Sequence, residues 1–332
     1  MAKLRAGLIG LGMMGRHHAR VLGSLEDVEL VAVADPAGDP HGIAGDRPLL
    51  GSVEELIATG VDYCMVAVPT IYHEPVGLAL AAAGVHAMIE KPLAQDVASA
   101  QRLADAFDAA GLVGAVGHIE RYNPALQSLR HRLEAGELGA IYQIVTRRQG
   151  PFPARIADVG VVKDLATHDI DLTSWVTQQP FRSVAAHTAL KSGRAFEDLV
   201  AVVGQLADGT VTNHLVNWLS PLKERVTIVT GEKGTFVADT LTADLTFYAN
   251  GSVETTWEDI AQFRGVSEGD VIRFAIAKPE PLRSEHEAFR NAVLGEEGAG
   301  ARIVTMRQGL ATVEVAEAVL QSARERRTVE LA

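Results

Sequence analysis

A single cysteine, Cys64, occurs among 332 residues, so no internal disulfide can form, and its place inside the apolar run 61–68 reads as a buried thiol. A reducing, cytoplasmic setting is the expectation. No apolar stretch reaches the roughly 20 residues that a membrane-spanning helix requires. The opening residues, with Lys3 and Arg5, run directly into an apolar segment and leave no separate signal-type core. Basic blocks are missing as well. Thirty Lys and Arg against forty-two Asp and Glu leave a net charge of −12, which argues against nucleic acid or an anionic membrane as the main partner. There is no internal repeat, no low-complexity linker and no pattern of a nucleophilic triad. Eleven histidines are present, but His17-His18 lack an acidic partner at ligand spacing and read as exposed or packing residues, so no metal is expected.

What is present is a long chain with 47% hydrophobic residues, enough for more than one core and more than a usual single domain. In the first third, strand-like runs (4–9, 30–34, 61–68, 85–89, 112–116) alternate with helix-like ones (16–22, a helix opened by the capping box of Ser52 and Glu55, 74–83, 96–110). Such alternation predicts a parallel sheet with both faces covered. Near residue 120 the texture changes. After a helix at 124–134, strand-like segments follow in series at 141–148, 184–190, 200–206, 211–218, 225–230 and 241–248. They predict an α+β region with a mostly antiparallel open sheet, and helices at 165–177, 285–294 and 304–323 are expected on one face of it. The other face carries enough apolar residues that self-association, as a dimer or tetramer, is the expected cover. The division is drawn as 1–121 for dinucleotide binding and 122–332 for substrate binding and oligomerisation.

Gly10-Leu11-Gly12-Met13-Met14-Gly15 lies between the first strand and the first helix, and Asp35 ends the second strand twenty residues after the last glycine. This spacing predicts a dinucleotide site: Gly10 for the tight turn, Gly12 for close approach of backbone to a pyrophosphate, Gly15 for helix-on-strand packing, with Met13 and Met14 in the same turn. The unpaired N–H groups of the helix start would face the pyrophosphate. Asp35 would accept from a ribose diol and repel an extra phosphate, which favours NAD over NADP.

Glu90-Lys91-Pro92 falls at the end of the fourth long strand, on the carboxyl edge where ligands bind in such sheets. Lys91 is a site candidate against the alternative of a solvated charge, and Pro92 restricts its conformation and permits a cis bond. Further along, helical spacing puts Asp164, His168, Asp171 and Trp175 on one face. Its plainer reading is an N-terminal acid beside a surface histidine.

Taken in order and separation, Gly10-x-Gly12-x-x-Gly15, Asp35, Glu90-Lys91-Pro92 and Asp164-x-x-x-His168 resemble the glucose-fructose oxidoreductase and inositol dehydrogenase family, Gfo/Idh/MocA, over essentially the whole chain. The resemblance implies an N-terminal Rossmann domain for NAD or NADP and a C-terminal domain whose open sheet serves oligomer contacts. It implies Lys91, Asp164 and His168 as catalytic residues, and Pro69, Thr70, His73 and Glu90 beside the nicotinamide. Stretches 117–124, 158–161 and 217–225 look like the UDP-N-acetylglucosamine 3-dehydrogenases within that family, which oxidise a sugar 3-hydroxyl to a ketone with NAD. Lys163, where such relatives have a more apolar residue, is a departure that sets a second cation beside the helix and bears on the sugar preference.

Oxidising a secondary alcohol requires a base at its oxygen. His168 suits that role near neutral pH, with Asp164 orienting the sugar, Asp171 able to fix the imidazole tautomer and Lys91 stabilising developing alkoxide charge; Lys91 as proton acceptor is the competing assignment. A nucleotide-sugar diphosphate would need cations, and Arg148 and Arg155 are the candidates; Arg147 and Arg148 must point to opposite faces of their strand. Tyr122 and Asn123 can border the substrate, although Asn123-Pro124 is also a good helix cap. Trp218 and Trp257 read as core or interface residues. An inositol or sugar-phosphate dehydrogenase, a ketosugar reductase, a redox-neutral enzyme with a transient ketone and a non-catalytic NAD sensor remain open.

Overall fold

The structure, a computed structural model, describes residues 3–153, 159–251 and 269–331; Arg155 and Trp257 lie outside the described residues. Two compact units are formed, Met1–Ile119 with Glu280–Glu317, and Glu120–Pro279 with Ala318–Ala332.

The first unit holds strands β1 (Leu4–Ile9), β2 (Val28–Ala34), β3 (Leu49–Leu50), β4 (Tyr63–Val66), β5 (His86–Glu90) and β6 (Gly114–Gly117), with helices α1 (Met13–Leu22), α2 (Val53–Ile57), α3 (His73–Ala82) and α4 (Val97–Ala110). The strands are all parallel, in the order β3-β2-β1-β4-β5-β6. The order reverses between β1 and β4, which makes the carboxyl ends of those strands the ligand edge. All four residues of β4 are buried, as a strand covered on both faces requires. Leu8, Leu22, Met65 and Met88 form one core, and Ile9, Val66, Leu80, Ile89, Leu103 and Phe107 form the other. Local signals start and stop the helices. Ser52 Oγ accepts from the Glu55 N–H at 3.2 Å, Asp96 accepts from the Ser99 N–H at 2.8 Å, and Gly111 ends α4 at φ 64°.

Among the described residues of the second unit, nine strands take the order β14-β13-β12-β11-β7-β10-β9-β8-β15. They are β7 (Ile141–Pro151), β8 (Phe181–Ala189), β9 (Leu199–Leu206), β10 (Val211–Asn217), β11 (Leu219–Gly231), β12 (Gly234–Asp239), β13 (Asp244–Ala249), β14 (Val271–Arg273) and β15 (Val329–Glu330). Among the described residues only β7 and β10 pair in parallel there; the other pairs are antiparallel. Helices α5 (Pro124–Glu134) and α6 (Thr167–Thr177) cover one face, packing Leu126, Leu129, Leu172 and Val176 on Ile144, Val229, Phe236 and Leu245. On the other face Val203 and Val211 are 52% and 42% exposed, with Val145, Leu215 and Ile228 beside them in register.

Two expectations need correction. The helices α7 (Pro281–Val293) and α8 (Met306–Glu325) were expected on the second sheet; residues 280–317 join the first unit instead, and only the end of α8, from Ala318, belongs to the second, where Ser322 Oγ accepts the Ala186 N–H at 2.9 Å. Phe289 packs edge-on against Tyr63 at 5.4 Å, while Met306, Leu310 and Val313 lie in the core with Val116. Apolar periodicity shows that a helix has a buried face but not which sheet receives it. Strand β12 is not among the strand-like segments expected from the sequence. Its alternation, with Gly234, Phe236 and Ala238 inward and Thr235 and Asp239 on the half-exposed positions, is short and carried by only one large inward side chain, and pairing with β11 and β13 makes it a strand.

Candidate active site

The glycine turn divides its labour as the spacing predicts. Gly10 has φ +93°, and a Cβ there would meet the Ala67 carbonyl oxygen at 2.5 Å. A Cβ on Gly15 would lie 2.1 Å from the Gly10 oxygen. At Gly12, by contrast, a Cβ would meet nothing within 4 Å. Gly12 is the N-cap of α1 and offers no side-chain cap, so the first N–H groups of the helix, at Met13 and Met14, are not capped by it. That combination, open room beside a bare helix start, fits a pyrophosphate.

Asp35 Oδ2 accepts the Leu11 N–H and Oδ1 accepts the Ala37 N–H, each at 2.8 Å. The acid thus ties the end of β2 to the glycine turn, and each oxygen keeps a second lone pair for a ribose hydroxyl. These residues fit NAD.

At the carboxyl end of β4, Pro69 precedes a single helical turn at Thr70–Tyr72. His73 does not offer a polar atom to a ligand. Buried, it sets Nδ1 2.9 Å from the Pro92 carbonyl and Nε2 3.0 Å from the Val68 carbonyl, so it braces the two loops that carry Pro69, Thr70 and Lys91. Burial holds the ring below the usual histidine range, against the pull of those carbonyls. The Lys91-Pro92 bond is cis. Glu90 is buried, and its Oε2 accepts the Lys91 N–H at 3.1 Å while Oε1 meets His18 Nε2 at 2.9 Å. Burial alone would raise this carboxyl; the His18 bond and the charges of His18 and Lys91 outweigh it and hold it below the usual carboxylate range. His18 therefore has the acidic partner that the sequence reading found missing. Its signal was the buried stripe Gly15, His18, Val21 and Leu22 along α1.

In the second unit the chain enters α6 through a π-helical turn, Val162–Ala166, which holds Asp164; His168 follows one turn on. Such turns occur often at functional sites. Asp164 is buried and His168 half-buried. Glu197 holds the entry: its carbonyl accepts the Val161 N–H at 2.9 Å and its carboxylate the Val162 N–H at 3.2 Å. A Cβ on Gly160 would strike that carboxylate at 2.0 Å. Neither Glu197 nor Gly160 could be assigned this role from sequence, because the contact joins positions 37 residues apart.

Asp171 is not at hand as a tautomer-fixing partner in the way expected. Both of its oxygens receive Arg121, at 2.8 and 2.6 Å, in a buried bidentate pair. Arg148, expected to reach a substrate diphosphate, is 3% exposed and sits between Glu120 and Asp169 at 2.8 Å each. Burial opposes its charge, and the two carboxylates more than restore it. It is a structural cation. Arg147 points to the opposite face and pairs with Glu224. Asn123 also turns out to be a cap: Oδ1 accepts the Ala125 N–H and Nδ2 donates to the Thr240 carbonyl, both at 3.0 Å. Tyr122 beside it is buried. Arg225, opposite Arg148 in register, is one-third exposed and bonded to Glu120 at 3.4 Å, so it keeps the open edge that Arg148 lacks.

Among the described residues, no three His, Cys, Asp or Glu gather in a metal-binding group, and no helix is long and apolar enough to cross a membrane. Residues 4–118 match an oxidoreductase family with an NAD-binding Rossmann fold, and residues 126–237 match the Gfo/Idh/MocA C-terminal domain. The chain belongs to the Gfo/Idh/MocA family of NAD-binding oxidoreductases. It is 35% identical over 217 residues to a UDP-N-acetylglucosamine 3-dehydrogenase of Acidithiobacillus ferrooxidans, an alignment spanning 64% of this chain and 66% of that protein. It is 31% identical over 191 residues to an inositol 2-dehydrogenase of Saccharopolyspora erythraea, spanning 55% of this chain and 56% of that one. A solved structure of the A. ferrooxidans UDP-N-acetylglucosamine 3-dehydrogenase superposes with a TM-score of 0.84 at 27% identity, covering 98% of this chain and 99% of that one.

Proposed function

We propose that this protein oxidises a secondary hydroxyl of a sugar to a ketone, and that the sugar is a nucleotide-sugar, with the 3-hydroxyl of UDP-N-acetylglucosamine as the leading candidate. The reading is carried by the occurrence, in one chain of this family, of Lys91 at the carboxyl edge of a nucleotide-binding sheet and of the Asp164 to His168 turn. Oxidised nicotinamide, when bound, supplies the acceptor for the carbinol hydride. His168 takes the hydroxyl proton, Asp164 holds the neighbouring hydroxyl, and Lys91 donates to the reacting oxygen as negative charge develops there. Lys91 as the proton acceptor is the alternative within the same chemistry. Arg225 replaces Arg148 as the cation offered to a substrate phosphate, because it alone of the two keeps an exposed edge.

The similarity to an inositol 2-dehydrogenase supports a second substrate reading, oxidation of a free cyclitol. The same residues with reduced cofactor would serve a ketosugar reductase. The apolar face around Val203, Val211 and Leu215 supports assembly as a dimer or tetramer through the open sheet. Residues 1–121 are the proposed cofactor-binding part, completed by 280–317, and the remainder the substrate-binding part.

The test is absorbance at 340 nm with NAD and a panel of UDP-sugars, dTDP-sugars, sugar phosphates and inositols. Selective NADH formation with UDP-N-acetylglucosamine is the expected result, falling at least about a hundredfold in His168→Ala with NAD affinity retained. Turnover with inositol alone overturns the substrate; unchanged turnover in His168→Ala moves the base role to Lys91. Binding of NAD with no turnover on any sugar points instead to a sensor.

A further inference from the structure

Among the described residues one helical turn, Val162–Ala166, closes at five residues instead of four, and that turn carries Asp164 and leads into His168. Such turns are rare, so something must hold this one open. Both ends of the segment are pinned. Upstream, the Val161 N–H donates to the Glu197 carbonyl at 2.9 Å and the Val162 N–H to the Glu197 carboxylate at 3.2 Å. The loop that carries Glu197 is itself fixed: Asp198, 1% exposed, accepts the N–H groups of Lys191 and Ser192 at 2.8 and 2.7 Å, and its carbonyl accepts the Trp218 N–H at 2.9 Å. Downstream, Asp169 receives Arg148 at 2.8 Å and Asp171 receives Arg121 at 2.8 and 2.6 Å, all buried, which keys α6 against rotation about its axis.

Between these anchors the Thr167 hydroxyl makes the deciding contact. In an α-helix the Thr167 N–H would donate to the carbonyl of Lys163, four residues back. Here that carbonyl accepts Thr167 Oγ1 at 3.0 Å, and the Thr167 N–H meets the carbonyls of Leu165 and of Val162, the latter five residues back. A helical threonine commonly bonds the carbonyl four residues back alongside the backbone N–H. In this turn the hydroxyl has that carbonyl and the N–H has moved on. Thr167 is 0% exposed, so its hydroxyl must find its partner inside the protein.

The register matters for the two residues it separates. Four α-helical steps carry a side chain about 40° past a full circle, whereas four steps of a wider turn fall short of one. The two registers therefore bring His168 round to different sides of Asp164. We propose that Thr167 is a positioning residue: by taking the Lys163 carbonyl, its hydroxyl holds the wide turn and with it the angle between the Asp164 carboxylate and the His168 imidazole. Glu197 is the second support, because it grips the start of the turn where an α register would need the chain to slip. The inference rests on the reading of Asp164 and His168 as the groups at the sugar.

The test compares Thr167→Val, which keeps the branched shape and loses the hydroxyl, with Thr167→Ser, which keeps the hydroxyl. Crystal structures of the intact protein should show the N–H of residue 167 on the Val162 carbonyl in the parent and in Thr167→Ser, and on the Lys163 carbonyl in Thr167→Val. With NAD and the sugar that the parent turns over, kcat should fall at least about tenfold in Thr167→Val and recover to within about threefold of the parent in Thr167→Ser. The NAD dissociation constant should be the same in all three. A residue that only packs would change thermal stability and leave kcat alone. A bond to Val162 retained in Thr167→Val overturns the inference, and so does a bond moved to Lys163 with kcat unchanged. Should Thr167→Val fail to fold, Thr167→Ala carries the comparison with the same expectations. The partner of that N–H is read without substrate, so a parent that turns over no sugar would refute the proposed function while the structures still decide whether Thr167 sets the turn.

Discussion

Three glycines in one turn should fail in different ways when each is given a methyl group. At Gly12 the backbone sits at φ −73° and ψ −162°, values open to alanine, and the added carbon enters empty space. Gly12→Ala should therefore change stability by no more than about 0.5 kcal/mol. The space it fills is the one a pyrophosphate needs, so NAD affinity should fall about ten- to a hundredfold, roughly 1.4–2.8 kcal/mol. At Gly15 the methyl would lie 2.1 Å from the Gly10 oxygen, where an ordinary contact begins at 3.4 Å, and the obstacle is backbone rather than a movable side chain. Gly15→Ala should lose about 1–3 kcal/mol of stability as α1 is pushed off β1. Calorimetric titration with NAD and thermal unfolding with and without NAD give both numbers. Retained NAD affinity in Gly12→Ala, or unchanged stability in Gly15→Ala, would refute the assignment of these roles.

Gly160→Ala should displace the Glu197 carboxylate from the entry to α6; kcat should fall about tenfold by steady-state kinetics while the NAD dissociation constant holds. Arg148→Met should cost about 3–5 kcal/mol in denaturant unfolding, since it leaves Glu120 and Asp169 buried without their cation. His214, buried and bonded through Nδ1 to Thr146, is pushed down to about 4 by burial. Its folded value lies below its unfolded one, so the fold favours the neutral ring. That contribution is complete above about pH 6.5 and is lost as pH falls toward 4, a loss of about 3 kcal/mol. A His214→Phe variant should show a flatter decline in stability over that interval, measured by thermal unfolding across pH.

How far the sequence could be read depends on how local each feature is. The glycine turn and Asp35 were legible because a strand, a turn and a helix start within thirty-five residues carry the whole pattern. The parallel sheet was legible for a similar reason, since each strand and its following helix announce their periods in turn. Arg148 was misread because a lone arginine on a strand looks solvated or ligand-facing, and only folding brings Glu120 and Asp169 to it. Asn123 had two readings in the sequence, and the cap is the one the backbone at Ala125 and Thr240 selects. His18 was undervalued because its partners sit 72 and 268 positions away.

The cofactor-binding unit is not one continuous stretch of gene. Its sheet ends at β6, yet Phe289 on Tyr63, His286 on His18 and Leu310 in the core with Val116 arrive only after the whole second sheet has been made. A product truncated near residue 120 would expose the flank that those side chains shield, and swapping front halves between relatives would mismatch the wall with its plug. Protein engineers who want to graft this nucleotide-binding module should carry the 280–317 segment along with it, and a nascent chain on the ribosome must wait for that segment before its first domain is finished.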